Sequence, residues 1–204
     1  MKKSNGLFIT FEGPEASGKS SQINLLKKYF IKKNISYLIT REPGGTRIAE
    51  NLRNIILNKR YNISFLQEIL LLMASRSHHI DKKILPALNK GKVVICDRFA
   101  DSTFVYQGYV NGFGIKKTQY LHKIILNNFL PKKTFLFELS PEDIIKRLKY
   151  RKIRNKYDKI EMNFHKKVSL GYKKISKNNN RFISIDASQK KEVIHEQIKK
   201  KLGL

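Results

Sequence analysis

The 204-residue sequence contains a single cysteine, Cys96, which rules out two kinds of structural support. One thiol cannot form an internal disulfide, and a zinc site built on cysteine needs more than one. The five histidines lack the spacing of a metal-binding set. At this length we predict one domain, residues 1–204, with a hydrophobic core large enough to be stable without disulfides or structural metals.

Long apolar runs are also absent. No segment approaches the ~18 apolar residues that a membrane-spanning helix needs. The basic start MKKSNG is followed only by LFITF before Glu12, which is too short for the core of a signal peptide. We therefore expect a soluble, cytoplasmic protein with no membrane partner.

Acidic residues are scarce, because 16 Asp and Glu stand against 42 Lys and Arg, giving a formal charge of +26. Such a charge raises the possibility of nucleic-acid binding. The excess is spread evenly, with 18 basic and 7 acidic residues in 1–100 and 24 and 9 in 101–204. This even spread favours solvated surface charges over a specific nucleic-acid site, and a positive field also attracts small anionic substrates.

Five short apolar segments predict β-strands, and patterns with helical spacing lie between them. The predicted strands are LFITFE (7–12), SYLIT (36–40), KVVICD (92–97), TFLFEL (134–139) and RFISID (181–186). The predicted helices cover roughly 18–33, 46–58, 64–89, 115–129, 141–152, 159–178 and 190–202. This alternation indicates an α/β fold, a five-stranded parallel sheet with helices on both faces. Ligands of such sheets bind at the carboxyl ends of the strands, where Glu12, Arg41 and Asp97 fall.

The stretch GPEASGKSS at 13–21 lies between the first predicted strand and the first predicted helix. Gly13, four further residues and then Gly18-Lys19-Ser20 match a phosphate-binding loop. Glycines let the backbone point its N–H groups at one phosphate, and the start of a helix adds positive potential. Lys19 can contact the β- and γ-phosphates, and Ser20 can ligate Mg²⁺. We therefore predict the P-loop NTPase fold, with a nucleotide bound by Gly13, Pro14, Glu15, Ala16, Ser17, Gly18, Lys19 and Ser20.

The segment TREPGGT (40–46) follows the second predicted strand. Its Pro-Gly-Gly turn can place Pro43 against a planar ligand. Arg53, two turns into the next helix, is within reach of an anion. The spacing alone also allows Arg41 and Arg53 to be ordinary surface charges.

The segment DRFADSTFVYQG (97–108) follows the third predicted strand. Asp97, at the strand end, is placed to hold Mg²⁺ or its waters. Arg98 can grip a phosphate with two N–H groups. The segment then offers neutral hydrogen-bonding groups suited to a sugar or a base, which are Ser102, Thr103, Tyr106 and Gln107.

Arg76 follows an apolar helical stripe and is predicted to face inward. The stripe consists of Leu66, Ile69, Leu70 and Met73. A buried arginine needs a partner, which is either a protein carboxylate or a ligand carbonyl. The neighbouring His78 and His79 are predicted to lie on the surface or on a dimer face.

Several of these segments together resemble the bacterial thymidylate (dTMP) kinase family. The matching stretches are TFEGPEASGKSS, TREPGGT, ILLLMASR, PALNKGKVVICDRF, DSTFVYQGY, FLPKKTFLFELSPEDIIKR, DKIE and SIDAS. They occur in the family's order and spacing, and they cover nearly the whole chain. The combination of TREPGGT with DRF and DSTFVYQG is specific, whereas the phosphate loop alone is not.

The resemblance implies an enzyme that converts dTMP and ATP to dTDP with Mg²⁺. The loop 13–20 would hold ATP, and Arg147 would also contact it. Arg98 and Arg53 would bind the dTMP phosphate, Asp97 would support Mg²⁺, and Glu15 would face the 3′-hydroxyl of the sugar and the metal region. A second group would surround the nucleoside. Its members are Arg76 on a thymine carbonyl, Thr103 and Gln107 at the base edge, Tyr106 beside the 2′ position, and Leu72 where many relatives have a stacking Phe.

A kinase needs positive charge at the transferred phosphoryl group, and the loop positions 14–17 contain no arginine. The segment KRLKYRKIRNKYDK (146–159) has eight basic residues and one acid, and it resembles the family's lid. Arg147 and Arg151 match basic lid positions, with Arg151 as the main catalytic arginine and Arg154 a looser candidate. The alternative interpretation is a solvated basic helix end.

The family resemblance also implies a homodimer, with the helix over residues 66–73 near the contact. That helix fits a place in the core equally well. Two other functions compete with thymidylate kinase, namely a kinase for another nucleoside monophosphate and a nucleic-acid-binding ATPase. The presence of Lys19, Asp97 and Arg98 argues against a nucleotide-binding module without catalysis.

Overall fold

The computed structural model describes residues 6–58, 60–150 and 162–204. Within these residues five strands form one sheet in which every neighbouring pair is parallel. The strands are β1 (Leu7–Glu12), β2 (Tyr37–Arg41), β3 (Val93–Asp97), β4 (Lys133–Glu138) and β5 (Phe182–Asp186). Their order across the sheet is β2-β3-β1-β4-β5. The predicted α/β class and five-stranded parallel sheet are thus confirmed.

The register of the central strands brings three separate segments together. Phe11 of β1 and Arg41 of β2 both lie opposite Asp97 at the end of β3. The residues that follow these strands therefore share one edge of the sheet. This edge carries the phosphate loop, the TREPGGT loop and the DRF segment.

The helices lie between the strands, close to their predicted positions. Their bounds are α1 (Lys19–Lys32), α2 (Arg47–Leu57), α3 (Phe65–His79), α4 (Leu85–Asn89), α5 (Ala100–Thr103), α6 (Ile115–Leu126), α7 (Pro141–Lys149), α8 (Met162–Ser176) and α9 (Lys191–Leu202). Thr46 caps α2 by accepting from Ala49 N, and Ser64 and Gln67 form a capping box on α3. The single helix predicted over 64–89 consists of α3, a π-helical stretch (Ile80–Ile84) and α4.

One helical segment was not predicted. After β3 the chain forms α5 and continues as a π-helical stretch (Phe104–Val110). Its β-branched, aromatic and glycine residues do not favour a helix, so local propensity gave no signal. The helical spacing puts Ser102 and Tyr106, and also Thr103 and Gln107, on neighbouring positions of one surface.

Apolar residues pack on both faces of the sheet because side chains alternate along each strand. Phe8, Val94 and Leu136 belong to the core on one face, and Ile9, Ile95 and Phe135 to the core on the other. Helices therefore cover both faces, as predicted. Within the three described ranges, no helix combines the length and apolarity that a membrane span requires.

The predicted stripe on α3 divides between two environments. Ile69 and Met73 are buried in the core, whereas Leu66 and Leu70 are each 50% exposed. The prediction of one common stripe was wrong, because the four residues form two pairs with a spacing of four, and the boundary between core and solvent runs between the pairs. The exposed pair, one turn apart, forms a separate apolar strip.

Candidate active site

A cleft of about 650 Å³ opens at the carboxyl edge of the sheet. It is lined by most of the residues predicted to form the site, which are Glu15, Ala16, Ser17, Gly18, Lys19, Ser20, Pro43, Arg53, Leu72, Arg76, Asp97, Arg98, Thr103, Tyr106, Gln107 and Arg147. Gly13 and Pro14 lie in the same loop and contact Lys19 from within it. Arg151 falls outside the described residues.

The loop between β1 and α1 has the conformation that its glycines permit. Gly13 has φ of 133°, and a Cβ there would lie 2.4 Å from the carbonyl oxygen of Phe137. Gly18 has φ of 89° at the N-cap of α1. Both positions are unsuitable for most side chains, so the two motif glycines are required by the local geometry. The result is a loop that ends at a helix N-terminus, which favours an anion.

Lys19 is 7% exposed and bonds within the loop. Its Nζ donates to Gly13 O at 3.0 Å, to Pro14 O at 2.6 Å and to Ser17 Oγ at 3.2 Å. Burial and the nearby charge of Arg98 together lower the pKa of Lys19 to about 8, against the opposing effect of Asp97, Glu15 and Glu12. An anion in the cleft would therefore meet a lysine whose charge is incompletely compensated.

Ser20 and Asp97 meet where a metal ion would bind. Ser20 Oγ donates to Asp97 Oδ2 at 3.2 Å. Both groups offer the oxygen ligands that Mg²⁺ prefers. In the described part of the chain, no three His, Cys, Asp or Glu side chains cluster closely enough to hold a metal by themselves. The pair fits an ion that takes its remaining ligands from phosphate and water.

Arg98 follows β3 directly and has a left-handed backbone conformation, with φ of 67°. Its Nη2 donates to Glu15 Oε1 at 2.8 Å, and its guanidinium lies 5.3 Å from the centre of the Tyr106 ring. Burial opposes the charge, but contacts with Tyr106 and Glu15 outweigh it and raise the pKa of Arg98 well above its ordinary value. Arg98 therefore keeps its positive charge inside the cleft.

Glu15 is the residue of the phosphate loop that pairs with Arg98. Tyr106 OH donates to both of its carboxylate oxygens, at 3.0 and 2.9 Å. Burial alone would raise the pKa of Glu15, but Arg98 and Lys19 lower it below its usual value. Glu15 is therefore ionised and links the two cationic groups.

Arg53 reaches from α2 to the TREPGGT loop. Its Nη1 donates to the carbonyl oxygen of Pro43 at 2.8 Å. Burial and the charge of Arg41 lower the pKa of the Arg53 guanidinium. Arg53 and Arg41 both line the cleft. Arg41 is more than half exposed there and pairs with Glu50.

Arg76 is 2% exposed, and its main partner is a protein carboxylate. Nε donates to Glu42 Oε2 at 2.6 Å, and Nη2 donates to Thr103 Oγ1 at 2.8 Å. The sequence left two partners open for Arg76, a protein carboxylate or a ligand carbonyl, and the structure shows the carboxylate of Glu42. Arg76 also lines the cleft, so its side chain is held in place beside any ligand there.

His79 is fully buried, so its predicted place on the surface was wrong. Its Nδ1 lies 2.9 Å from Glu42 Oε1, and its Nε2 lies 2.7 Å from Thr40 Oγ1. Glu42 therefore joins α3 to the end of β2 through both Arg76 and His79. These partners are more than 30 residues apart in the chain, which is why local patterns gave no indication of them.

The far end of the cleft contains apolar and amide groups. Gln107 Nε2 donates to Glu68 Oε1 at 3.0 Å, and Leu72 lies alongside. This bond fixes the orientation of the Gln107 amide, because its NH₂ group must face the carboxylate of Glu68. Glu42 and Glu68 were both absent from the predicted site, although Glu42 lies inside the TREPGGT segment.

Arg147 is a predicted lid arginine that lies within the described residues. Its Nη2 donates to Ala187 O at 2.9 Å and its Nη1 to Ala16 O at 3.3 Å. Arg147 therefore ties α7 to the phosphate loop and to the turn after β5. The rest of the predicted lid, residues 151–159, lies outside the described residues.

Comparison with known proteins agrees with this geometry. The family model described as "Thymidylate kinase" matches residues 11–198. The thymidylate kinase of Clostridium novyi (strain NT) is 41% identical over 198 residues, covering 95% of this chain and 97% of that protein. That of Thermoanaerobacter sp. (strain X514) is 41% identical over 194 residues, covering 95% of each. The crystal structure of thymidylate kinase from Ehrlichia chaffeensis is 33% identical with a TM-score of 0.75, covering 97% of this chain and 98% of that one. This chain belongs to the thymidylate kinase family.

Proposed function

We propose that this protein, as one nucleoside-monophosphate-kinase domain, transfers the γ-phosphate of ATP to dTMP and forms dTDP. One observation carries the proposal: the phosphate loop with Lys19 and the guanidinium of Arg98 line the same cleft. Family membership and relatives named thymidylate kinase support the choice of dTMP as the acceptor.

The phosphates would occupy the basic half of the cleft. Lys19 would exchange its contacts with the loop for the β- and γ-phosphates of ATP. Arg98 and Arg53 would bind the phosphate of dTMP. This acceptor is already ionised at neutral pH, so the reaction needs accurate placement more than a general base.

Ser20 and Asp97 would hold Mg²⁺, and Glu15 would face the 3′-hydroxyl and the metal region. The ion would neutralise charge that develops on the phosphates during transfer. The hydrogen bond between Ser20 Oγ and Asp97 Oδ2, at 3.2 Å, supports this assignment, because the two oxygen ligands lie close enough to share one ion.

The nucleoside would lie toward α3 and the helical segment after β3. Arg76, held by Glu42, would donate to a thymine carbonyl, and Gln107, held by Glu68, would contact the base edge. Tyr106 would crowd the 2′ position. The remaining contacts would come from Pro43, Leu72 and Thr103.

An acceptor panel tests this assignment. With ATP and Mg²⁺ in a coupled assay, we expect dTMP to have the highest kcat/KM among dTMP, dUMP, dGMP and dCMP. The reason is that guanine and cytosine present a different hydrogen-bonding edge and leave fixed groups of the site unpaired, which costs on the order of 10⁴-fold. Uracil has the same hydrogen-bonding groups as thymine and lacks only the methyl group, so dUMP should lose only about 10- to 200-fold.

The same assay separates the competing functions. Preferred turnover of dGMP or dCMP would identify a kinase for another nucleotide. ATP hydrolysis that is stimulated by DNA or RNA, with steeply salt-dependent binding, would identify a nucleic-acid-dependent ATPase.

We also propose that the protein is a homodimer. Phe65, Leu66 and Leu70 on α3 are each at least 50% exposed, as is Ile124 on α6, and these two helices pack against each other. Exposed apolar side chains on neighbouring helices are typical of a surface covered by a partner.

The dimer has a direct test. In light scattering we expect a mass of twice the 23.8 kDa chain, and we expect the double variant Leu66→Lys/Leu70→Lys to shift it to one chain. Ile31→Lys/Val193→Lys is the matched control, because both residues are exposed apolar positions on other helices. Equal effects of the two pairs would argue against this contact.

A further inference from the structure

Glu12 is the last residue of β1 and directly precedes the phosphate loop, yet the proposed reaction gives it no role. Its side chain is fully buried. A buried carboxylate is unfavourable unless its partners satisfy it. The partners of Glu12 therefore indicate what it does.

Three donors converge on this carboxylate from different parts of the chain. Oε1 accepts from the backbone N–H of Phe99 at 2.7 Å. Oε2 accepts from Ser102 Oγ at 2.7 Å and from Tyr172 OH at 2.9 Å. Glu12 thus connects the central strand to the segment after β3 and to α8.

The same two hydroxyls also contact Arg98. Its Nη1 donates to Ser102 Oγ at 3.1 Å and to Tyr172 OH at 3.3 Å. A hydroxyl has one hydrogen, and a guanidinium can only donate. Since each hydroxyl gives its hydrogen to Glu12, its lone pairs remain for Arg98.

Glu12 also fixes the backbone beside Arg98. The N–H of Arg98 donates to Phe11 O at 3.0 Å, and the next N–H, that of Phe99, donates to Glu12. Arg98 itself has the left-handed conformation that residues with a side chain seldom adopt. These two bonds hold that conformation from either side.

We propose that Glu12 is a positioning residue that orients the hydroxyls of Ser102 and Tyr172 and thereby fixes the Arg98 guanidinium for the acceptor's phosphate. This inference rests on the proposed function, because it takes dTMP as the ligand of Arg98. Glu12 would contact neither substrate.

The protonation of Glu12 gives the proposal a pH dependence. Burial and then the charge of Asp101 raise the pKa of Glu12 to about 7, against the opposing effects of Arg98, Ser102 and the Phe99 N–H. Three other titratable groups face it, namely Lys19 from α1, Cys96 from β3 and Tyr172 from α8. The pKa values of Cys96 and Tyr172 are raised well above their ordinary values, and that of Lys19 is about 8. These three groups are therefore already mostly protonated at pH 7. Of the four, Glu12 is the one that takes up a proton as the pH falls below 7.

Glu12→Gln tests the proposal with little change of shape. The amide oxygen of the glutamine can accept from the Phe99 N–H, which leaves its NH₂ group facing the hydroxyls of Ser102 and Tyr172. Because the NH₂ group can only donate, the hydrogens of these hydroxyls would turn toward Arg98, which also can only donate. We expect KM for dTMP to rise by about 10- to 100-fold, the range of a lost hydrogen bond to a charged group, while KM for ATP stays within about threefold. Calorimetric titration with dTMP alone should show the same loss of affinity.

Glu12→Gln should lose affinity for dTMP without losing thermal stability. A raised pKa means that the folded chain holds this proton more tightly than the unfolded chain, so the contribution of Glu12 to stability is lost as the pH rises through 7. Glutamine stays neutral, and we expect the Tm of Glu12→Gln at pH 8 to equal or exceed that of the wild type. A merely structural role predicts a lower Tm instead.

Three further variants complete the test. Ser102→Ala and Tyr172→Phe each remove one of the two hydroxyls and should each raise KM for dTMP by less than Glu12→Gln. In the wild type, KM for dTMP should rise below pH 7 as Glu12 becomes protonated. In Glu12→Gln this rise should be smaller, because only the phosphate of dTMP still titrates in this range. Glu138→Gln is the matched control, since it changes an exposed carboxylate at the end of β4, and it should leave both KM values unchanged.

The outcomes separate this inference from the proposed function. An unchanged affinity of Glu12→Gln for dTMP, or an equal loss for ATP and dTMP, overturns the role of Glu12. Wild-type protein that binds dTMP without phosphorylating it overturns the function alone, and the titrations still decide the inference. Wild-type protein that does not bind dTMP overturns both.

Discussion

Lys19→Met is expected to lower kcat with ATP and dTMP on the order of 10³-fold, as for the loss of one positioned group that stabilises transition-state charge. Methionine keeps most of the buried length of the side chain but removes the cation. Two described cations of the cleft are already engaged, because Arg98 is held by Glu15, and Arg147 is held by the carbonyl oxygens of Ala16 and Ala187. Steady-state kinetics at saturating ATP measures the effect on turnover.

The control for this variant is Lys28→Met, which makes the same change at an exposed position of the same helix. It should leave kcat within about twofold, as expected for a surface substitution. The pH provides a second check. Since burial lowers the pKa of Lys19 to about 8, the free protein loses this charge as the pH rises above 8, and KM for ATP should rise there in the wild type but not in Lys19→Met. A kcat for Lys19→Met close to that of the wild type would remove Lys19 from the reaction.

Arg151→Ala is expected to lower turnover by about 10³-fold or more, the effect of removing an arginine that stabilises the transferred phosphoryl group. Positions 14–17 of the phosphate loop contain no arginine, so another segment has to supply this charge. The basic segment 146–159 is the proposed source, and closure of such a lid also excludes water.

Arg147→Ala is the comparison for this variant, because the structure gives Arg147 a different task. Its guanidinium holds two backbone carbonyls, one of them in the phosphate loop. We therefore expect a smaller loss, about 10-fold, and mainly in KM for ATP, as for one lost hydrogen bond to a charged group. If Arg151→Ala kept turnover within about threefold of wild type, the assignment of Arg151 would fail.

Much of the fold could be predicted because its signals are local. Five apolar segments alternate with helical patterns, and each observed strand begins and ends within one residue of its predicted bounds. The cleft was predictable for a related reason, since the carboxyl ends of parallel strands share one edge. Lys19, Asp97 and Arg98 had to lie near one another once that edge was assigned.

The supporting contacts could not be predicted in this way. Glu42 holds Arg76 across 34 positions of the sequence, and Glu12 meets Tyr172 across 160. No periodicity or motif links such pairs, because their distance depends on how helices pack on the sheet. The helix after β3 was missed for a similar reason, since packing overrides the weak helical propensity of its residues.

The sequence by itself determined the order of strands and helices, the phosphate loop and the set of charged residues at the strand ends, because these follow from spacing and residue type. Only the tertiary structure decided which of those charged side chains are held in one position and which residues hold them. Burial makes an unpaired carboxylate or guanidinium unfavourable, so each one in the cleft is held by a partner that the packed chain brings to it. That is why Arg98 has a single orientation set by Glu15, Ser102 and Tyr172, and why His79 lies in the core beside Glu42.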